Sequence, residues 1–451
     1  MRIGFVRLID AAPLIIAVEK GFFSAAGVAV SLHREIGWMN IRDKLTYGRL
    51  DASHALLGMA IMSQLGRADF VEPLVGVMAL GAGGNSLVVS RHLAEMGITS
   101  GAALGNLVRT GLFGRKIVCA HVSSFSMHHY LLREWLAEGG MNPDKDVQLC
   151  QLTPMQVAEH LERGYVDLFC AGEPWGTLAQ ERQWGSVIAA STDILPAHPE
   201  KLLAVRQQYA QDHGEEISRV VQAVLQACRY CRNPGNIHEM AAILARPEYL
   251  NESAELLERC LRADSAGTGS AAAQRARSKD WFVRSWHDTH TFPSCTHVVW
   301  MLRQMIRWGE LAADAPVRQI AQRSVRSDFY RKEAERLNIP LPLTDFPDMP
   351  LRRGILTMTP PVGGSDAGPA GRKMDSFLQS PPSPPPAGPT AVSGHRNHGL
   401  RPHRPAGNIG GEGPQAAGAG RTKIKGLRAP FRTGAGYAAI GIRRGISAVT
   451  E

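Results

Sequence analysis

The residues able to do chemistry in this chain form few reactive constellations. There is no G-x-x-x-x-G-K-[ST] phosphate loop, no G-x-S-x-G elbow and no H-E-x-x-H zinc helix, and the 16 histidines are scattered. The run "GAGGNS" at 81–86 lacks both the dinucleotide pattern and a following Lys-Ser/Thr. His128 and His129 open a helix with no acidic partner at ligand spacing, so no metal site is expected there. Ser126 beside His128 lacks an orienting acid and an oxyanion hole, which argues against a hydrolase. Cys228 and Cys231 form a lone C-x-x-C inside a helical pattern, without the second pair that zinc requires. No cofactor is expected, and no bond need be made or broken.

A different set of residues suits binding. Trp38 stands between an extended segment and a helix, and its indole N–H donates without offering a competing lone pair. Asn85 follows Gly83 and Gly84, which permit close backbone approach, and its amide adds two donors. His128 sits at a predicted helix start, with one ring N–H when neutral and two when protonated. Together these donors would hold a small anion in fixed geometry.

The elements that must position them alternate. "MRIGFVRL", "VAVSLHRE", "DASHALL", "FVEPLVGVMALG", "NSLVVS", "RKIVCAH", "DVQLCQL" and "VDLFCAGE" read as strands. Between them lie helical patterns such as "NIRDKLTYG", "SMHHYLLREWLAEGG", "TPMQVAEHLERG" and "PWGTLAQERQWG". Asp10 is placed to cap a helix that Gly27 ends. This rhythm predicts an α/β fold with largely parallel sheets. From Pro199 to Asp328 the pattern reads as mainly helical. Ligands in such folds bind where strands end and helix starts expose free N–H groups, and the loops at 10–13, 81–86, 123–128 and 172–175 have that layout.

Composition limits the partners. Of 451 residues 44% are hydrophobic and the formal charge is +9. From residue 351 onward there are 14 Lys and Arg against 4 Asp and Glu, leaving 36 against 37 before it. The same stretch holds 19 of the 46 Gly and 13 of the 28 Pro, a composition that predicts a disordered tail. The basic balance thus belongs to the tail, and direct nucleic-acid binding is not expected of the neutral body. No apolar run reaches the roughly 20 residues of a membrane-spanning helix. The start of the chain shows no secretory pattern and the seven cysteines no disulfide framework, so a cytoplasmic protein is expected. A misplaced start codon would make it periplasmic.

The order of the segments "RIGFVRLIDAAPLIIAVEKGFFSAAG", "REIGWMNIRDK", "GGNSLVVS", "SMHHYLLREWLAEGG", "VDLFCAGEPWG", "HPEKLLAVR" and "FPSCTHVVWMLRQMIRWGEL" resembles nitrate-binding proteins of the nitrate/bicarbonate ABC-transporter family. It is most similar to the cytoplasmic nitrate/nitrite sensors within it. The resemblance implies a periplasmic-binding-protein-like (type II), two-lobed α/β fold with its ligand in the cleft. Lobe 1 would comprise residues 1–84 and 190–350, lobe 2 residues 85–189, and the Gly/Pro-rich tail residues 351–451. It implies anion contacts from Trp38, Asn85 and His128 beside Gly84, with Glu173 and Trp175 at the second crossing and Arg262 as the basic residue. Asn85, where transport members carry glutamine, points to the sensors. These bind nitrate or nitrite and release an RNA-binding antitermination regulator. The alternatives are the solute-binding component of a nitrate, bicarbonate or sulfonate importer, and an enzyme on the same fold resembling thiamine-pyrimidine synthases. The latter would want a reactive His/Cys cluster and a pyridoxal-phosphate lysine that cannot be identified in this sequence.

Overall fold

The computed structural model describes residues 1–262 and 285–358. Its frame is a pair of five-stranded sheets built to one plan. In the first, the order is β2 (Ser31–Glu35), β1 (Arg2–Val6), β3 (Ala52–Leu56), β10 (Lys201–Arg206) and β4 (Leu74–Ala79). In the second, it is β7 (Val147–Gln151), β6 (Ile117–His121), β8 (Leu168–Gly172), β5 (Asn85–Ser90) and β9 (Gly185–Ala190). The first three strands of each sheet pair in parallel, whereas β10 and β5 each run antiparallel to both neighbours. The sheets are therefore mixed, and the antiparallel strand in each is the one that has just arrived from the other sheet. The central strand β10 is buried almost along its whole length and carries the continuous apolar run "LLAV", whereas edge strand β2 is mostly exposed.

The two crossings, residues 80–84 and 191–200, lie side by side. Leu80 N donates to the Lys201 carbonyl at 2.8 Å, Gly83 N to that of His198 at 3.1 Å, and Ala82 bridges Pro199. Gly83 and Gly84 take φ of 71° and 90°, a left-handed region that side chains rarely adopt, and so let the chain turn into β5. This ribbon joins the lobes and carries Asn85 at one end and Glu200 and Lys201 at another.

Four sequence expectations need correction. The region after Pro199 begins with a strand, β10, and not with helix. Asp10 does not cap: it lies in the short turn Ile9–Ala11, its side chain is engaged elsewhere, and the helix Ala12–Glu19 that follows stops well before Gly27. The segment 295–350 is not confined to one lobe. Its helix Cys295–Arg307 packs on both Leu57–Gln64 of the first lobe and Met127–Glu138 of the second. The predicted tail starts too early, because Ile355–Leu356 pairs antiparallel with Met349–Pro350 and Leu356 is buried. The rest of that tail, 359–451, lies outside the described residues. Cys228 and Cys231 both face the core from helix Gly214–Cys231, where burial pushes their thiols up.

Candidate functional site

The four loops singled out in the sequence converge on the crossings. Helix Met127–Glu138 starts beside Asn85, with Ser126 as its cap accepting from His129 N at 3.2 Å. That cap accounts for Ser126 and leaves His128 free to point inward. His128 Nε2 lies 2.9 Å from Asn85 Oδ1, and Asn85 Nδ2 donates to Glu200 Oε1. The other Glu200 oxygen accepts from Lys201 Nζ at 2.6 Å. Lys201 Nζ also meets Asp10 Oδ2 at 2.9 Å, and Asp10 Oδ1 sits 2.8 Å from His54 Nε2. Register explains the last links, since β3 and β10 are antiparallel neighbours with Leu203 opposite His54. His198 completes the chain, with Nδ1 3.2 Å from Glu200 Oε1 and Nε2 2.7 Å from Ser191 Oγ.

Trp38, the first residue of helix Trp38–Thr46, lies over this chain. Its ring centroid is 5.5 Å from that of His54 and 5.7 Å from Lys201 Nζ, close enough for a cation–π contact. The indole Nε1 is buried without a hydrogen-bond partner, and so are Nδ1 of His54 and Nδ1 of His128. Buried polar atoms are normally satisfied, and these three lie within one network. Asp10, Glu200 and Lys201 also line a crevice with 81–83, Ser285 and Trp286.

The electrostatics are those of a tightly paired core. Burial pushes the Asp10 carboxyl up, but Lys201 and His54 outweigh it and hold the group at about 2. The same contest leaves Glu200 well below the usual carboxylate range, with Lys201 and His128 lowering it. Burial lowers Lys201, yet Asp10 and Glu200 raise it further. For His128, burial dominates and brings the ring to about 4 although Glu200 pulls upward.

Trp38, Asn85 and His128 thus join one connected network. Gly84 accepts a hydrogen bond at its carbonyl from Glu173 N at 3.1 Å, so it shapes the turn. Glu173 ties the crossing together: its carboxylate accepts from Ser86 Oγ and from Thr177 N at 2.9 Å, and its carbonyl from Ile9 N at 2.9 Å. Trp175 is buried with Arg7 stacked 5.6 Å over its ring. Arg262 is not at the site. It lies exposed at the end of helix Ala254–Arg262, pairing with Glu258 at 2.8 Å, because the apolar face of that helix (Leu256, Leu257, Cys260, Leu261) turns it outward. Among the described residues, the cation buried in this network is Lys201. Asp10, His54, His198, Glu200 and Lys201 were not anticipated, although the Glu-Lys pair heading the apolar run "LLAV" was a visible signal.

Residues 1–245 match the family model described as the NMT1-like family. The chain belongs to the NMT1-like family. It is 32% identical over 80% of its length to the nitrate import ATP-binding protein NrtC of Synechocystis sp., covering 54% of that protein. It is 33% identical over 75% of its length to the bicarbonate transport ATP-binding protein CmpC of Synechococcus elongatus, covering 50%. The chain therefore spans about half the length of these relatives. Among solved structures, the periplasmic nitrate-binding protein NrtA from Synechocystis superposes with a TM-score of 0.69 at 26% identity, over 76% of this chain and 91% of that one. The two-sheet architecture of this NMT1-like protein is that of the periplasmic binding proteins.

Proposed function

We propose that this protein captures a small oxyanion, nitrate in the first instance, as the solute-binding component of an import system. The observation that carries the reading is the set of three unpartnered buried nitrogens, Trp38 Nε1, His54 Nδ1 and His128 Nδ1, on the network that joins the two lobes. Nitrate is planar and weakly hydrated, so donors fixed by packing can replace its water at small reorganisation cost. Closure of the lobes would exclude solvent, and electrostatic contacts strengthen as the local dielectric falls. The names of the relatives, nitrate and bicarbonate transport proteins among them, agree with this class of ligand. No chemical step is assigned to it.

Calorimetric titration of nitrate into the full chain tests the reading. Trp38→Phe keeps the ring and removes one donor, so it is expected to weaken binding by about tenfold, as befits a lost hydrogen bond to a charged group. Nitrate affinity unchanged in that variant would remove Trp38 from the site, and no binding of nitrate to the wild type would refute the reading.

Asn85 favours a second reading, a cytoplasmic nitrate/nitrite sensor that releases an RNA-binding antitermination regulator when ligand arrives. Such release requires that nitrate bind the free form more tightly than the partner-bound form. Pull-down from cytoplasm with and without nitrate separates the two: a protein captured only in its absence supports the sensor, and none in either condition leaves the import component.

A further inference from the structure

A cavity of about 440 Å³ opens between Ala197, the start of helix Cys295–Arg307 and the proline-rich segments 340–342 and 347–350. None of the side chains of the Asn85–Glu200–Lys201 network lines it. Its size falls among sites for small organic molecules, which run to about 300–1,000 Å³. Phe292, Leu341 and Met349 give it an apolar wall.

The lining is poor in donors. Pro340, Pro342, Pro347 and Pro350 have no backbone N–H to offer. Among the described residues that line the cavity, the acids are Asp288 and Asp348, and there is no Lys or Arg. Two guanidiniums come near, and both are taken. Arg232 pairs with Asp288 at 2.8 Å; Arg331, stacked 5.0 Å over the Phe292 ring, pairs with Asp345 at 2.8 Å. An anion would meet a wall with little to hold it.

Several of the lining polar groups are already engaged. Besides Asp288, Ser294 Oγ accepts from Thr296 N at 3.1 Å, and Thr289 Oγ1 lies 3.1 Å from His287 Nδ1. Asp348 and His297 differ. Asp348 is exposed and makes no hydrogen bond or ion pair to the described residues, and the half-buried ring of His297 makes none either. Burial, then the neighbouring His290 and His198, brings His297 to about 3. Near neutral pH that ring is uncharged, so it does not repel a cation and keeps one nitrogen lone pair as an acceptor. A metal ion does not fit these groups, since among the described residues no three His, Cys, Asp or Glu side chains are gathered to hold one.

We propose that this cavity binds a small organic ammonium ion with a flat apolar body. The ammonium pairs with Asp348, the body lies against Phe292, Leu341 and Met349, and a further N–H of the guest donates to the lone pair of His297. Such a guest supplies the donors and the positive charge that the lining lacks, and hydrogen bonds between charged partners are the strong ones. No bond is made or broken. The site is separate from the anion network, so each stands without the other.

Tryptamine has all three parts and is the probe; indole-3-acetate is the anion with the same ring. Calorimetric titration of each into the full chain should show tryptamine binding at least about tenfold more tightly. Asp348→Asn, at an exposed position, should weaken tryptamine about tenfold and close most of the gap between the two probes. His297→Phe keeps a ring, removes the acceptor and should weaken tryptamine as well. Nitrate titration is expected to be the same in Asp348→Asn as in the wild type, so failure here leaves the anion reading standing. Tryptamine that does not bind at millimolar concentration, binds no better than indole-3-acetate, or binds Asp348→Asn as tightly as the wild type overturns the proposal.

Discussion

Replacing Lys201 by Met removes the one ammonium between Asp10 and Glu200 and keeps a chain of similar length in its place. In the wild type the two carboxylates are held in their charged form at the core: Asp10 is brought from 3.8 to about 2, against the push of burial, mainly by Lys201 and then by His54. That depression is worth about 2 kcal/mol for Asp10 alone. Its sign follows from the direction. A carboxylate with a lowered folded value contributes stability above its unfolded value near 4 and loses it as pH falls toward about 2. In Lys201→Met both carboxylates stay buried and lose the ammonium that Lys201 supplies, so their folded values rise. The variant is then destabilised as pH rises past about 4, and its pH dependence inverts. Breaking a buried ion pair by removing one partner costs about 3–5 kcal/mol, which for a body of this size lowers Tm by about 5 °C. Urea denaturation at pH 5 and pH 8 measures both effects, with the variant expected to be more stable at pH 5. A loss below about 1 kcal/mol at pH 8, or a profile parallel to the wild type, would refute the assignment of Lys201 as the counter-charge.

Arg262→Ala should leave nitrate titration unchanged and stability within about 0.5 kcal/mol, since the pair with Glu258 is exposed; weakened binding would restore Arg262 to the site. Gly58→Ala should destabilise by about 3 kcal/mol or more in thermal denaturation, because a Cβ there would stand 1.8 Å from the Phe125 carbonyl oxygen, where the helix Leu57–Gln64 meets the other lobe. A neutral effect would mean that the lobes do not pack as described. Acid titration of the wild type, followed by near-ultraviolet circular dichroism, should show tertiary structure lost between about pH 4 and pH 2 as Asp10 gains its proton.

Much of the frame was legible because strands such as "IVCAH" and "LVGVMA" are short apolar runs bounded by glycines and charges. The helix at 127–138 announces itself by Leu131, Leu132, Trp135 and Leu136. β10 was not legible, for a physical reason: "LLAV" is a central strand buried on both faces, so it shows no alternation and resembles helix by pattern. With that strand missed, Glu200 and Lys201 stayed out of the site. Asp10 and Lys201 lie far apart in sequence, and the pairing of β1 with β3 and of β3 with β10 brings the strand before Asp10 and the strand that Lys201 opens into one sheet, where the two residues meet. Trp38, Asn85 and His128 were identified from donor type and the segment resemblance. What sequence alone could not show is that the single N–H of His128 is already given to Asn85.

The helix Cys295–Arg307 and the residues after it reach the outer side of the helix that begins with Met127 and His128. Arg307 pairs with Glu134, Arg352 with Glu138, and Tyr130 donates to Glu310 at 2.6 Å. The helix that carries His128, moored in this way, cannot swing independently of the chain's later part, so the two must travel as one piece or the moorings must let go. If the protein binds nitrate as proposed, trimming Arg307 or Glu310 is expected to quicken its escape more than it changes the equilibrium affinity, a difference that stopped-flow release measured against calorimetric Kd would show.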